Sequence, residues 1–299
     1  MINHESWHRL RVEFRNLFPL FRYLVLQTET HAFCLALACA ALVGFYPACL
    51  VMLTVLKYVL GWDAAYNVLI DTLGVYYPVP TPTPAYPENF LVYNLEITLN
   101  EFGPRSTITS LIWVLVGAAG VFIPLETGFN RLWQVREDRP YWLNQMVGFA
   151  LAIAGVISAV AFVAISTGLT FISSNLPFEI VRAAAATIII RVTTTCFFVV
   201  TIFAFYYFLP NKQIEARQVL PAAILAGIGV ELVRIVHALV LPWLNLLATQ
   251  GPFRVSVSFV LLVYFETFVV LGGAFLASQT DRYPWMGFLR TKRSDSPPS

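Results

Sequence analysis

Four ionisable residues lie within long apolar stretches of this sequence, namely Arg191, Glu231, Arg234 and Glu266. An ionised side chain at the centre of a membrane-spanning helix costs about 2.5 to 3.5 kcal/mol on insertion scales, so these groups are expected to face one another and not lipid. Two positive and two negative groups balance, and such an intramembrane polar network can line a pathway or a binding cavity for an ion or a small polar solute. The competing interpretation is a buried ion pair that fixes helix register, with Arg234 extending outward to the membrane boundary.

Helix geometry indicates which of these groups can meet. With a rise of about 1.5 Å per residue across an apolar core of about 30 Å, Arg191 lies about 12 Å and Glu231 about 10 Å from the outer edge. These two residues are therefore level enough to pair between the fourth and fifth spans. By the same count Arg234 lies about 6 Å and Glu266 about 18 Å from that edge, while Arg234 shares a helical face with Glu231 and could pair with it. The polar groups next to this set are Thr193, Thr194, Thr195 and His237.

Residues that could support catalysis or hold a metal are scattered along the chain. Metal-dependent phosphodiester cleavage needs clustered Asp, Glu or His side chains, whereas the adjacent carboxylates Glu137 and Asp138 lie between two arginines that neutralise them. The sequence has neither a P-loop nor a G-x-S-x-G motif. It therefore predicts a protein that is not an enzyme, with no catalytic residue, no metal and no cofactor. The histidines are His4, His8, His31 and His237.

The cysteines likewise suggest no site. All four lie within apolar stretches and none belongs to a CxxC pair, which favours buried, unreactive thiols over a disulfide or a metal site. They are Cys34, Cys39, Cys49 and Cys196.

The composition requires a membrane environment. Hydrophobic residues make up 58% of the 299-residue chain and charged residues 12%, whereas a soluble domain carries about 25% charged residues. The chain therefore cannot cover its surface with polar groups, and membrane lipids are its expected partners. A net charge of +2 gives no reason to expect a nucleic-acid partner.

Six apolar stretches are long enough to cross a membrane, which predicts an all-α polytopic membrane protein with six transmembrane helices. Pro47 lies inside the first span, where neighbouring helices can compensate for the lost hydrogen bond, and Pro221 lies in the first turn of the fifth. Gly117 and Gly120 in the second span permit close helix approach, either within the bundle or to a second copy of the chain in a homo-oligomer. The predicted spans are 32–56, 106–125, 142–172, 183–209, 219–241 and 255–277.

The connection from 125 to 141 sets the predicted orientation, because it gathers Arg131, Arg136 and Arg139 beside two spans. Lys and Arg in short loops mark the cytoplasmic side of a membrane, so both termini are expected there. The chain then divides into a cytoplasmic amphipathic helix (1–30), a membrane domain (31–278) and a cytoplasmic disordered tail (279–299). The basic N-terminal helix suits either the membrane surface or the cytoplasmic end of the bundle, and it shows no pattern of a cleaved signal peptide.

Residues 58–105 form the one long connection and are interpreted as a cap on the outer face. Two apolar helical stripes predict short interfacial helices, and the proline-rich segment between them favours an extended, polyproline-like strut. The region is acidic, and the interpretation as a cap packed on the spans competes with that of a docking surface for a partner. The first stripe is Trp62, Ala65, Tyr66, Leu69, Ile70 and Leu73, and the second is Leu91, Leu95, Leu99 and Phe102.

Three segments together resemble the YihY/BrkB family of bacterial inner-membrane proteins. They are FNRLWQVR (129–136), whose signature residues are Asn130, Arg131, Trp133 and Arg136, then YYFLPNK (206–212) followed by VLPAA (219–223), and LGGA (271–274). The chain departs from the family pattern at Ala222 and Ala223, where a glycine is usual, and at Phe275, where an acidic residue is common. The resemblance implies a six-helix protein of the bacterial inner membrane. The family once carried a ribonuclease label, which the scattered acidic and histidine residues here do not support.

The charges within the spans favour a transporter or permease-like protein with a polar pathway for an ion or small solute. The alternative is a non-transporting envelope protein that organises lipid or a partner through its basic N-terminal helix and its acidic cap. The two functions differ in one physical property, because a pathway needs water at the charged residues and a structural network does not.

Overall fold

The computed structural model describes residues 18–76, 90–102, 105–136, 139–174, 179–250 and 253–279. The helices there are α1 (Thr28–Thr54), α2 (Asp63–Tyr76), α3 (Phe90–Phe102), α4 (Arg105–Leu132), α5 (Tyr141–Ser174), α6 (Glu179–Phe208), α7 (Ala216–Val240), α8 (Leu246–Gln250) and α9 (Arg254–Ser278). Two short π-helical segments, Arg22–Leu26 and Val55–Val59, precede and follow α1. The N-terminal stretch 1–17, the proline-rich segment 77–89, the acidic pair Glu137 and Asp138, and the tail from 280 onward lie outside the described residues.

Within the described residues, six helical stretches are long and apolar enough to cross a membrane, which confirms the six-span all-α fold predicted from the sequence. They are Thr28–Val59, Ile108–Leu132, Trp142–Leu169, Arg191–Phe208, Ala216–Val240 and Val255–Ser278. One end of the bundle carries Arg131, Arg139 and Lys212 and is called the basic end. The opposite end, where α2 and α3 pack, is called the cap end.

The second span is longer than its prediction. It was expected to end at Leu125, ahead of the acidic residue Glu126, but α4 continues to Leu132. Glu126 is only 2% exposed and lies on the core-facing side of the helix with Leu125 and Phe129. The connection between the second and third spans is therefore shorter than the predicted 125–141 loop.

The fifth span also begins earlier than predicted. Glu215 has an extended backbone and acts as the N-cap residue of α7, which starts at Ala216. Pro221 is therefore in the second turn and not in the first, and the carbonyl of Arg217 lacks its usual i+4 donor. Pro47 lies inside α1, as expected.

Small residues bring α1 and α4 into close contact. A Cβ atom added at Gly117 would lie 2.5 Å from the Cα atom of Gly44, and one at Gly120 would lie 2.8 Å from the Cβ of Ala40. Such distances are too short for any side chain, so the two helix backbones touch at this crossing. The close approach predicted for Gly117 and Gly120 is made inside the chain.

The cap consists of the two helices that the apolar stripes predict. Ala65, Leu69 and Leu73 of α2 and Leu95 and Leu99 of α3 are buried in one cluster. That cluster also contains Leu50, Leu53 and Leu56 from the first span and Val163 of α5. The α3 backbone is further held by the Tyr46 hydroxyl, which donates to the carbonyl of Asn94 at 3.1 Å. Both cap helices are therefore packed on the spans.

The chain before α1 packs on the last span. Tyr23 stacks on Phe275, with ring centroids 4.9 Å apart, and Leu24 lies against Gly272. For residues 22–26 the structure therefore favours packing on the bundle over an isolated position at the membrane surface.

The prediction of four buried cysteines is wrong for two of them. Cys34 and Cys49 are buried, whereas Cys39 and Cys196 are exposed on the apolar exterior. Apolar stretches of a membrane helix supply both the core and the lipid-facing side, so hydrophobicity alone does not distinguish these positions. All four thiols are free.

Candidate functional site

The first ion pair joins α6 to α7. Arg191 Nη1 donates to Glu231 Oε1 at 3.0 Å, so the structure contains the pair that their predicted depths permit. The Arg191 side chain is 47% exposed, whereas that of Glu231 is 11% exposed. The second carboxylate oxygen, Glu231 Oε2, is buried and has no hydrogen-bond partner among the described residues. A buried acceptor without a partner costs about 1 to 3 kcal/mol or more, so this oxygen is suited to a bound water or ligand.

The second ion pair joins α7 to α9 near the middle of the bundle. Arg234 Nε donates to Glu266 Oε1 at 2.7 Å, and both side chains are largely buried. The Arg234 guanidinium also lies 3.8 Å from the ring centroid of Phe198. The interpretation in which Arg234 extends outward is therefore wrong. Side chains on a helix lean toward its N-terminus, and α7 begins at the basic end, so Arg234 points into the bundle.

The hydroxyls beside Arg191 are largely committed to their own helix. Thr193 donates to the carbonyl of Ile189 at 2.7 Å, and Thr195 donates to that of Arg191 at 2.9 Å. These two threonines therefore satisfy main-chain carbonyls and do not extend the ionic network. Thr194 is buried.

Two histidines link α9 to its neighbours. His237 Nε2 lies 3.2 Å from both the carbonyl and the hydroxyl oxygen of Ser258, which adds a polar α7–α9 contact at the cap end. His31 Nδ1 lies 2.5 Å from the Tyr264 hydroxyl and joins α1 to α9. Neither histidine is part of the Arg191–Glu231 pair or of the Arg234–Glu266 pair.

A cavity of about 150 Å³ lies between two groups of helices. On one side are α1 and α4, in contact through their glycines, and on the other are α6, α7 and α9, joined by the ion pairs. The cavity wall is mostly apolar and includes Glu266, Thr201 and Thr267. One water needs about 10 to 15 Å³ of such volume, so the cavity has room for several.

Aromatic contacts lie on both sides of this cavity along the bundle axis. Toward the cap end, the rings of Phe45 and Phe259 are 4.6 Å apart. Toward the basic end, Phe129 contacts both Trp133 and Tyr206, at 5.8 and 5.5 Å. The Tyr206 hydroxyl donates to the carbonyl of Val270 at 2.6 Å, which joins these aromatic residues of the basic end to α9.

The signature segment after α4 meets the LPN segment after α6. The Asn211 backbone N–H donates to Asn130 Oδ1 at 2.8 Å, and Lys212 Nζ donates to the carbonyl of Trp133 at 3.4 Å. Trp133 is buried, and its indole N–H has no hydrogen-bond partner in the described part of the chain. Two segments of the family resemblance thus form one contact at the basic end.

Arg139 caps the C-terminal end of α6. Its Nε donates to Asn211 Oδ1 at 3.1 Å, and its two terminal nitrogens approach three successive carbonyls at 3.4 to 3.5 Å. Those carbonyls belong to Phe208, Leu209 and Pro210. The last carbonyls of a helix have no internal donor, so a cation here stabilises the helix end. The sequence interpretation gave Arg139 the role of neutralising nearby carboxylates and missed this contact.

The other two signature arginines differ from each other. Arg131 pairs with Glu29 at the start of α1, and its guanidinium lies 5.6 Å from the ring of Phe33. Arg136 is exposed. Glu126 was not proposed as a site residue, although its position one turn before Asn130 on a buried helical face could have indicated it. Among the described residues no group of three His, Cys, Asp or Glu side chains could hold a metal ion.

Six spans in the described part of the chain, the intramembrane ion pairs Arg191–Glu231 and Arg234–Glu266, and a cavity bordered by a carboxylate define a polytopic membrane protein with an internal polar site. The chain belongs to the family described as Virulence factor BrkB, whose profile matches residues 25–284. The resemblance to the YihY/BrkB family is therefore confirmed.

Curated relatives are also membrane proteins. A UPF0761 membrane protein of Paraburkholderia xenovorans is 26% identical over 192 residues, covering 60% of this chain and 42% of the relative. One of Neisseria meningitidis serogroup B is 22% identical over 204 residues, covering 67% of this chain and 49% of the relative. The chain thus spans about half the length of these relatives. No solved structure matches it.

Proposed function

We propose that this chain is a permease-like protein of the bacterial inner membrane that carries a small polar solute or ion. The observation that carries the proposal is the cavity between the two helix groups, because a carboxylate, Glu266, forms part of its wall. Ionisable residues inside a membrane bundle are costly and commonly mark solute or ion pathways.

The ion pairs supply polar groups between the cavity and the cap end. Arg191 is partly exposed, Glu231 is buried behind it, and Arg234 and Glu266 follow next to the cavity. In this proposal a route follows the ion pairs to the cavity, and Glu231 Oε2, which has no hydrogen-bond partner among the described residues, would give water or a solute a place to bind along it. With the basic end in the cytoplasm, as the arginine distribution favours, the route leads to the cavity from outside.

The helix packing suits a change between two arrangements. Transport commonly proceeds by one rigid group of helices rocking against another around a central site. We place α1 and α4 in one group and α6, α7 and α9 in the other, with the packing of α9 on α1, which includes the His31–Tyr264 contact, as the interface along which they would move. The Phe45–Phe259 contact and the Phe129–Tyr206 contact bridge the groups at opposite ends of the cavity, where they would act as gates.

The alternative is a non-transporting envelope protein with a dry internal network. It is favoured by the Arg234–Glu266 pair, in which each charge is neutralised by the other. Both functions are compatible with the partners proposed here, which are membrane lipids and, for a homo-oligomer, a second copy of the chain. No enzymatic activity is proposed.

Access of water to the cavity distinguishes the two functions. Thr201 lines the cavity, whereas the adjacent Val200 is 61% exposed on the apolar exterior of the same helix. With the four native cysteines replaced by alanine, Thr201→Cys and Val200→Cys are reconstituted in proteoliposomes and treated with the thiol-binding ion Ag⁺. A thiol reacts as the thiolate, which forms in water and not in hydrocarbon.

We expect Ag⁺ to protect Thr201→Cys from later maleimide labelling in denaturant and to leave Val200→Cys unprotected. Both variants must elute from a size-exclusion column like the cysteine-free parent. If Thr201→Cys remains as unprotected as Val200→Cys, the cavity is dry and the transport proposal fails.

A further inference from the structure

Two side chains in the cavity wall contact the positively charged guanidinium of Arg234. Glu266 accepts a hydrogen bond from Arg234, and the ring of Phe198 lies beneath the same guanidinium. Both Glu266 and Phe198 also line the cavity. A carboxylate together with an aromatic face is the combination by which proteins recognise ammonium and guanidinium groups.

We propose that the cavity binds a small organic cation, an ammonium or a guanidinium ion, which takes the place of Arg234 on Glu266 and Phe198. This inference rests on the proposed function and names its substrate class. Pockets for drug-sized ligands measure about 300 to 1,000 Å³. The cavity measures about 150 Å³, which restricts the ligand to a few heavy atoms.

The charges around the cavity favour a cation over an anion. Among the described residues that line it, Glu266 is the only charged side chain, and the Thr201 and Thr267 hydroxyls can accept N–H donors. The helices that line the cavity carry further ionisable groups, among them the buried Glu126 of α4, whose charge when ionised is also negative. The others nearest the ion pairs are Arg191, Glu231, Arg234 and His237. Arg191 is held by Glu231, and His237 contacts Ser258 nearer the cap end. An anion in the cavity would meet the Glu266 carboxylate in a medium of low dielectric constant, which is unfavourable.

A second partner is available to Arg234 when the ligand displaces it. Glu231 lies three residues earlier on α7, and residues at this spacing are neighbours on the helix surface. Its Oε2 is buried and has no described hydrogen-bond partner, while Oε1 accepts from Arg191. The exchange therefore moves Arg234 from Glu266 to Glu231 and leaves both of these carboxylates paired with a cation. The occupied state carries the one extra positive charge of the ligand, so its transport moves charge across the membrane.

The test is equilibrium binding of radiolabelled guanidinium to the 299-residue chain in lipid nanodiscs. We expect one saturable site per chain in the wild type, displaced by methylammonium and not by sodium acetate. Glu266→Gln should abolish this site. The matched control is Glu96→Gln, which alters an exposed carboxylate of the cap and should leave binding unchanged.

Two further variants test the exchange. Glu231→Gln should weaken guanidinium binding about tenfold, because displaced Arg234 loses its charged acceptor, and Arg234→Ala should tighten binding about tenfold, because the tethered competitor is gone. Arg234→Lys, which keeps the charge but loses the planar contact with Phe198, should shift affinity in the same direction if the alanine variant does not fold.

The outcomes separate this inference from the proposed function. If Ag⁺ reaches Thr201→Cys but wild-type protein has no saturable guanidinium site, the cavity is wet, transport stands and the cation assignment is overturned. Binding that persists in Glu266→Gln, or that acetate displaces, also overturns it. A dry cavity without guanidinium binding overturns both proposals.

Discussion

Arg139 donates to one side chain and approaches three successive carbonyls at the end of α6. Hydrogen bonds that involve a charged group contribute about 1.5 to 3 kcal/mol, so we expect Arg139→Ala to lower the free energy of unfolding by about that amount. Arg139→Lys should recover only part of the loss, because a lysine cannot reproduce the planar arrangement of donors. The measurement is reversible unfolding in mixed detergent micelles.

Arg136 supplies the matched control for this prediction. It belongs to the same connection and carries the same charge, but its side chain is exposed. Arg136→Ala should change stability by less than about 0.5 kcal/mol. Equal losses of stability from Arg139→Ala and Arg136→Ala would show that the charge of the loop contributes to stability and that the contact of Arg139 with the end of α6 does not.

Part of the site could be predicted residue by residue from the sequence. Counting the rise per residue placed Arg191 level with Glu231. This worked because the predicted ends of both spans were close enough to the real ones for the depth of each residue to be counted from them. The same count gave no reason to pair Arg234 with Glu266, whose predicted depths differ. The length and direction of an arginine side chain bridge that difference, and depth counting treats residues as points on the helix axis. The cavity and the Phe198 contact depend on how helices pack, which spacing within one helix does not reveal.

The close contact between α1 and α4 depends most on the absence of a side chain at Gly117. A Cβ there would lie 2.5 Å from Gly44 Cα and 2.9 Å from its backbone nitrogen. Gly117→Ala must therefore separate the two helices, and we expect a loss of about 1 to 3 kcal/mol, as for other overpacked contacts. Gly155 of α5 is the control, because no described atom lies within 4 Å of a Cβ added there.

Gly155→Ala should leave stability unchanged or raise it by up to about 1 kcal/mol, because alanine favours helix. Thermal unfolding of both variants in the same detergent tests the pair. If Gly117→Ala is as stable as Gly155→Ala, the contact between α1 and α4 is not a fixed part of the fold.

At the level of helices, the sequence predicted which helices exist better than it predicted where they begin and end. The stripes that end at Leu73 and Phe102 correctly identified both cap helices, because buried positions recur with the helical period. The second span was predicted to end at Leu125, whereas α4 continues past the buried Glu126 to Leu132. Hydropathy alone does not identify such a residue, and the signal that could have done so is its helical spacing from Asn130.

The orientation of the whole bundle remains a prediction from its basic residues. In the cysteine-free background, Glu96→Cys places one thiol in the cap, and Gln213→Cys places one in the exposed connection between α6 and α7. We expect a membrane-impermeant maleimide to label Glu96→Cys in intact bacteria and Gln213→Cys only after lysis. Labelling of Gln213→Cys in intact cells would indicate the inverse orientation.

The contact between Arg139 and α6 also has a consequence for biosynthesis. Arg139 and Asn211 are separated by 72 positions, so Arg139 leaves the ribosome well before its acceptors exist. At about 5 to 20 residues per second, the 72 positions correspond to a delay of about 4 to 14 s. In the predicted orientation the guanidinium meanwhile resists translocation, and it becomes a helix cap only when the end of α6 returns to the same side. In that orientation, the residue that favours the cytoplasmic placement of this loop also stabilises the end of α6 in the folded protein.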